Sequence, residues 1–203
     1  MDNLIMEKDH MEKLYASRNP FVRFVCDKRL EEIVGLIPQG KNLKILDAGC
    51  GEGQLLLKIA RLRGGELYGA DITEVALESA KERVAGAHFS LQDLGNLKYE
   101  DNFFDVVVCT EVIEHISRYR ETIAQLKRVL KKGGLLILTF PNEPVAIFCR
   151  AVFFRRPTIA DHVNWFFPRK MMRAVGLELA RKINIPFHLP DFLTIIHLLA
   201  FRK

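Results

Sequence analysis

Paired cysteines are what this chain most plainly lacks. Its four, Cys26, Cys50, Cys109 and Cys149, lie far apart along 203 residues, with no C-x-x-C among them. That excludes a structural zinc knuckle or a disulfide framework and fits a reducing compartment. Long hydrophobic runs are missing too. Acidic residues and no apolar core follow Met1-Asp2-Asn3, so no signal peptide is expected. The longest apolar run near the end, Phe192 to Phe201, is interrupted by Thr194 and His197 and is too short to span a bilayer. Internal repeats, low-complexity tracts and flexible linkers are absent as well. These absences leave a soluble, cytoplasmic, single-domain protein spanning residues 1–203 as the expectation. A 49% hydrophobic and 27% charged composition supports it, because that balance builds a core rather than a disordered chain.

The net charge of +5 is unevenly placed. Residues 1–100 carry 14 Lys+Arg against 16 Asp+Glu, and residues 101–203 carry 16 against 9. Arg150, Arg155, Arg156, Arg169, Lys170, Arg173, Arg181 and Lys182 supply much of the excess. Such a region attracts RNA, anionic lipid or an acidic substrate. No aromatic stacking motif or repeated basic box accompanies it, so a solvated basic face is favoured over a nucleic-acid site.

The apolar spacing alternates between strand and helix. Val22, Val25, Leu30, Ile33, Val34 and Ile37 predict a first helix stopped by Pro38-Gln39-Gly40. Strands are expected at Ile45-Leu46, at 66–71, at 87–91, at 104–110 and at 135–140. Between them, helices carry Leu55 to Ala60, Val75 to Val84 with Thr73 as cap, and Ile123 to Leu130. Lys131-Lys132 suits that last helix's C-terminus, and Gly133-Gly134 breaks it. An apolar helix over 144–154, a short helix from Pro168, and final strands at about 177–185 and 194–201 complete the order. The class this predicts is α/β: a doubly wound, mostly parallel, seven-stranded, Rossmann-like sheet with helices on both faces. Residues 1–40 form a helical cap, 43–141 the ligand-binding core, 142–175 a substrate or lid insertion, and 176–203 the last strands.

Chemistry concentrates at Asp47-Ala48-Gly49-Cys50-Gly51-Glu52-Gly53. Three glycines in five positions remove the Cβ atoms that keep a ligand off the backbone. A strand, a glycine turn and a helix start make a nucleotide-type site at the carboxyl end of a strand. The dinucleotide pattern G-x-G-x-x-G would need glycine at 54, where Gln54 stands. Cys50, with no base near it in sequence, reads as a small packing residue.

The observed Asp-x-Gly-x-Gly-x-Gly resembles the opening motif of class I S-adenosylmethionine-dependent methyltransferases. S-adenosylmethionine is cationic and has no pyrophosphate, which suits a carboxylate beside the turn. Asp71, Asp93, the Glu111-Val112-Ile113-Glu114-His115 segment and Leu130-Lys131-Lys132-Gly133-Gly134 resemble further family landmarks, together covering residues 43–141. The resemblance implies cofactor contacts from Asp47, Gly49, Gly51, Gly53, Asp71, Ile72, Asp93, Leu94, Thr110 and Glu111. Asp71 would hold the ribose hydroxyls, Asp93 the adenine amino group, and the segment after the fourth strand the methionine moiety.

Methyl transfer asks mainly for positioning, and a hydroxyl acceptor adds the need for a base. His115 and His162 are the candidates. Were Glu111, Glu114 and His115 helical, their spacing would put all three on one face. With His162 they resemble the divalent-metal constellation of the ubiquinone-pathway O-methyltransferases and the small-RNA 3′-terminal 2′-O-methyltransferases. The plainer reading gives Glu114 and His115 capping and packing duties with no metal, and it is the expectation here. Asp161-His162-Val163-Asn164-Trp165-Phe166-Phe167-Pro168 also resembles a family segment, with Phe167 where a capping hydroxyl is usual. With Ile147, Phe148, Val152, Phe153 and Phe154, Phe167 is expected to form an apolar acceptor pocket or lid, with a peripheral membrane contact as the second option. The expected acceptor is a small molecule. Alternatives are a metal-assisted RNA 2′-O-methyltransferase, a non-enzymatic cofactor-binding partner subunit, and a nicotinamide-dependent oxidoreductase. Nothing in the residues sets the oligomeric state.

Overall fold

The computed structural model describes residues 19–154 and 162–203. Expectations for residues 1–18 and 155–161, Asp161 included, lie outside the described residues. Helix α1 (Pro20–Leu36) starts where Asn19 Oδ1 accepts the Phe21 N–H at 2.9 Å and proline occupies the first turn. It is followed by β1 (Lys44–Ala48), α2 (Gln54–Leu62), β2 (Glu66–Asp71), α3 (Glu74–Arg83), β3 (His88–Leu91), β4 (Phe104–Thr110), α4 (Tyr119–Val129) and β5 (Leu130–Pro141). Helices α5 (Glu143–Phe154) and α6 (Pro168–Val175) precede β6 (Glu178–Ile185) and β7 (Ile196–Arg202).

The seven strands form one sheet in the order β3-β2-β1-β4-β5-β7-β6. Pairing is parallel from β3 through β5; β7 runs antiparallel to both β5 and β6. The chain crosses outward in opposite directions from β1 and β4, so the crevice above their carboxyl ends is the switch point where such sheets take ligands. Successive strand residues face opposite sides. Val106, Val108, Leu135 and Ile137 therefore join the core under α1 and α2, while Val107, Cys109, Leu136 and Leu138 join the core under α4 and α6. Burial on both faces is why these strands read as nearly unbroken apolar runs.

Two local expectations need correction. Lys131–Gly134 does not merely end a helix: β5 begins at Leu130, which pairs with Phe104, and the register then slips so that Val106 pairs with Leu135. Gly134 is required at that irregularity, since a Cβ would meet Asp105 O at 2.9 Å. Thr73 does occupy the N-cap of α3, but its side chain makes no cap bond. Its backbone N–H instead donates to Asp71 Oδ1 at 2.9 Å.

Candidate cofactor and acceptor site

The glycine turn is tied to the neighbouring strand. Gly49 and Cys50 donate their N–H groups to Ala70 O at 2.7 and 3.2 Å, and Gly51 N–H donates to Asp71 Oδ2 at 2.8 Å. With its other oxygen on Thr73, the Asp71 carboxylate clamps the β1 and β2 loops together. Each oxygen keeps acceptor capacity for a hydroxyl. Gly49 adopts φ +82°, and a Cβ there would sit 2.4 Å from Val112 Cγ2, so both conformation and space demand glycine. Gly53, at φ +79°, opens α2 with no side-chain cap. Cys50 is buried as expected, and burial pushes its thiol up.

Asp47 is 2% exposed, and its Oδ1 has no hydrogen-bond partner among the described residues. Burial, reinforced by the Asp71 charge and partly offset by Arg29, pushes its carboxyl up to about 7. A buried carboxylate of this kind is costly until a cation or donor completes it, which fits a cationic ligand.

Across the crevice, Asp93 is exposed and caps the 3-10 turn Leu94–Asn96, accepting the Gly95 N–H at 2.8 Å. Ile72 lies exposed at the end of β2, free to cover a flat ring. Leu94 faces the other way: its side chain is buried in the core, leaving only backbone to meet a ligand there.

After β4 the condition for a shared helix face is not met. Glu111 takes φ +53°, uncommon for a residue with a Cβ, and only Ile113–His115 form a single 3-10 turn. Glu111 is held by Thr139 Oγ1, which donates at 2.9 Å, and by Arg29 Nη1 at 3.6 Å. Thr110, just before it, has a buried hydroxyl with no hydrogen-bond partner among the described residues. Glu111 therefore turns toward α1, and the three side chains do not share a helix face.

Glu114 is 1% exposed and neither carboxylate oxygen has a hydrogen-bond partner among the described residues, so no capping bond is seen there. Its backbone carbonyl instead accepts the N–H groups of Val163 and Asn164, each at 3.0 Å, and Asn164 Nδ2 donates to Ile116 O at 2.8 Å. This pinning carries His162 to His115, with ring centroids 4.5 Å apart at 79°. His162 Nδ1 is hydrogen-bonded to Glu143, a buried acid at the start of α5. One ligand atom each from Glu114, His115 and His162 fall within 4.8 Å of one another, a set able to hold a divalent ion.

Sequence reasoning missed Arg29, Thr139 and Glu143. Arg29 carried a signal, since a cation between Val25 and Ile33 interrupts the apolar stripe of α1. Glu143 carried none, because its partner is 19 residues away. A charged cleft of 660 Å³ at the opposite end of the sheet, lined by Asp105, Lys131, Lys132, Arg181 and Arg202, is remote from these groups.

A methyltransferase-domain family model matches residues 39–170, about two thirds of the chain. The chain belongs to the class I S-adenosylmethionine-dependent methyltransferase family. It is 36% identical over 132 residues to a demethylmenaquinone methyltransferase of Symbiobacterium thermophilum, covering 60% of this chain and 52% of that protein. It is 28% identical over 131 residues to a trans-aconitate 2-methyltransferase of Variovorax paradoxus, covering 63% and 51%. The chain thus spans about half the length of these curated relatives. Among solved structures, a Haloferax volcanii methyltransferase in complex with the Trm112 activator superposes with TM-score 0.73 at 16% identity, covering 96% of both chains. The magnesium protoporphyrin IX methyltransferase of Synechocystis, with S-adenosylhomocysteine bound, gives 0.70 at 21% identity over 96% and 94%. These likenesses match the expected fold, a mostly parallel seven-stranded sheet with helices on both faces.

Proposed function

We propose that this chain transfers the methyl group of S-adenosylmethionine to a small-molecule acceptor. One observation carries the reading: the glycine turn, a clamped Asp71, and a buried Asp47 lacking a partner meet at the switch point, with two histidines across the crevice. Asp47 holds the cofactor's cationic end, Asp71 its ribose, and Ile72 with Asp93 its adenine. Gly49, Gly51 and Gly53 admit it to the backbone, with backbone at Leu94, Thr110 and Glu111 completing the wall. The donor supplies a methyl group already activated on sulfur, so the protein's part is orientation and exclusion of water. His162, fixed through Nδ1 by Glu143, and His115 beside it take the proton of an acceptor hydroxyl. A small-molecule acceptor accords with the names of the curated relatives, demethylmenaquinone and trans-aconitate methyltransferases.

Thermal denaturation with ligand tests this. S-adenosylhomocysteine at a hundred times its Kd is expected to add about 2.7 kcal/mol, a rise of roughly 5–10 °C for a chain of this size. Stabilisation by NAD alone overturns the reading in favour of an oxidoreductase. Labelled donor offered with phenols, fatty acids and RNA then separates an enzyme from a cofactor-binding partner subunit, which binds but transfers nothing.

The buried Glu114 carboxylate, without a hydrogen bond among the described residues, favours a second reading, in which Glu114, His115 and His162 would hold a divalent ion and the ion would supply Lewis-acid activation of an acceptor hydroxyl. Chelation would then suppress turnover, and Glu114→Ala would remove the dependence on added metal. Turnover indifferent to chelator eliminates this second reading and leaves the first.

A further inference from the structure

Exposed large apolar side chains are segregated on this molecule. Among the described residues all but two, Leu62 and Leu179, lie at the carboxyl end of the parallel strands, around the mouth of the site. Phe148 on α5 is 67% exposed, and Trp165 and Phe167 on the strap before α6 are about half exposed. The β6–β7 connection adds Phe187, Leu193 and Phe192, the last 72% exposed. These segments are fixed to one another. Asn142 Nδ2, between β5 and α5, donates to Asp191 O and Thr194 O at 2.8 and 3.0 Å, and the strap is held by the Glu114 carbonyl. Phe148 and Phe167, expected to wall an acceptor pocket or lid, are exposed.

Cations border the strap side of this rim, while Asp191, beside Phe192, is paired with Lys182. Arg169 and Lys170 follow Pro168 in the first turn of α6, and Arg120 stands exposed in the first turn of α4. Lys170 Nζ lies 4.8 Å from the ring centroid of the buried Phe166 and donates to Trp165 O at 3.0 Å, which holds its charge beside the exposed Trp165. An apolar rim of this extent on a soluble surface marks a contact site. Its basic border is complementary to an anionic partner, and no helix among the described residues is long and apolar enough to cross a membrane.

We propose that this rim docks on the surface of an anionic phospholipid bilayer, setting the mouth of the site against the lipid so that a lipophilic acceptor enters without crossing water. The aromatic side chains reach the acyl boundary, while Arg120, Arg169 and Lys170 meet phosphate headgroups. The acceptor's lipophilic character rests on the methyltransferase reading of the site; the bilayer contact does not.

The chain has one tryptophan, and it is on the rim. Trp165 fluorescence, titrated with vesicles of equal phosphatidylglycerol and phosphatidylcholine, is expected to shift to the blue and to be quenched by acyl-brominated lipid. Pure phosphatidylcholine vesicles should bind at least tenfold more weakly. Phe148→Ser with Phe192→Ser should weaken partitioning about tenfold while leaving stabilisation by S-adenosylhomocysteine intact, and Arg169→Glu with Lys170→Glu should erase the preference for anionic lipid. No spectral shift, or equal binding to both vesicle types, overturns the proposal. A blue shift that follows protein concentration without lipid, with a dimer by light scattering, assigns the rim to a second copy and overturns it as well. Vesicle binding without any response to S-adenosylhomocysteine leaves the docking surface standing and removes the cofactor reading alone.

Discussion

Binding of S-adenosylhomocysteine should expel a proton from Asp47. In the free protein burial and the Asp71 charge hold this carboxyl at about 7, against an ordinary 3.8. The sign follows from linkage. Between those two values the folded chain binds more protons than the unfolded one, so the free protein loses stability as pH rises through that window, by up to about 4 kcal/mol. A cofactor ammonium beside Asp47 reverses this, because it favours the ionised form and draws the pKa back down. At pH 6, about 0.9 proton should leave per cofactor bound. Affinity should rise roughly tenfold per pH unit and level off above 7, a gain of about seventy-fold between pH 5 and 7.5. The ligand's α-amino group remains largely protonated over that range.

Calorimetry in two buffers of different ionisation enthalpy reads the released proton directly, and Kd against pH reads the slope. Asp47→Asn is the control, since an amide of the same shape cannot titrate. It should flatten the profile, bind more weakly at pH 7.5, and leave the free protein more stable than the parent above pH 7. A parent affinity that changes less than threefold over pH 5–7.5, with no buffer-dependent heat, refutes both the placement of the ammonium and the claim that Asp47 is neutral before binding.

Three further perturbations probe the frame of the site. Gly49→Ala forces a Cβ to within 2.4 Å of Val112 at φ +82° and should cost about 2 kcal/mol or more in chemical denaturation while abolishing S-adenosylhomocysteine binding; unaltered binding would mean that the turn does not approach the ligand. Arg29→Met removes the cation facing Glu111 and should destabilise the fold by roughly 3–5 kcal/mol, with Glu111→Gln on the same background restoring much of the loss; an absence of such rescue would show the pair to be uncoupled. His197, fully buried on β7, is held down to about 4 by desolvation. The unfolded chain therefore takes up its proton first as pH falls below 6.5, and about 3 kcal/mol of stability should be lost by pH 4. His197→Asn should blunt that acid limb, and an acid limb identical to the parent's would mean that His197 is protonated in the folded state.

What the residues revealed in advance, and what they hid, divides along the range of the interactions. β1, β2 and β4 were legible because burial on both faces writes itself into consecutive residues, and the glycine turn was legible because its demand for missing Cβ atoms is local. Even there the detail was tertiary. Asp71 was expected only as a ligand contact, yet it also holds Gly51 and Thr73 in place before any ligand arrives. The segment Glu111–His115 shows the opposite case. Its i, i+3, i+4 spacing would share one face only on a helix, but Glu111, held by Arg29 and Thr139, takes a left-handed backbone, and Ile113–His115 form a 3-10 turn. That distortion has a consequence for chemistry. On a regular helix Glu111, Glu114 and His115 would point one way; here Glu111 is committed to Arg29, and the place beside Glu114 and His115 is filled by His162, delivered by a strap tied through the Glu114 carbonyl, Asn164, the His162–Glu143 hydrogen bond and the buried Phe166 ring. The Glu114, His115 and His162 group is therefore assembled across the fold from segments distant in sequence, while the glycine turn is written in one. Acceptor choice can drift through the strap and the exposed rim without disturbing the turn that Asp71 clamps.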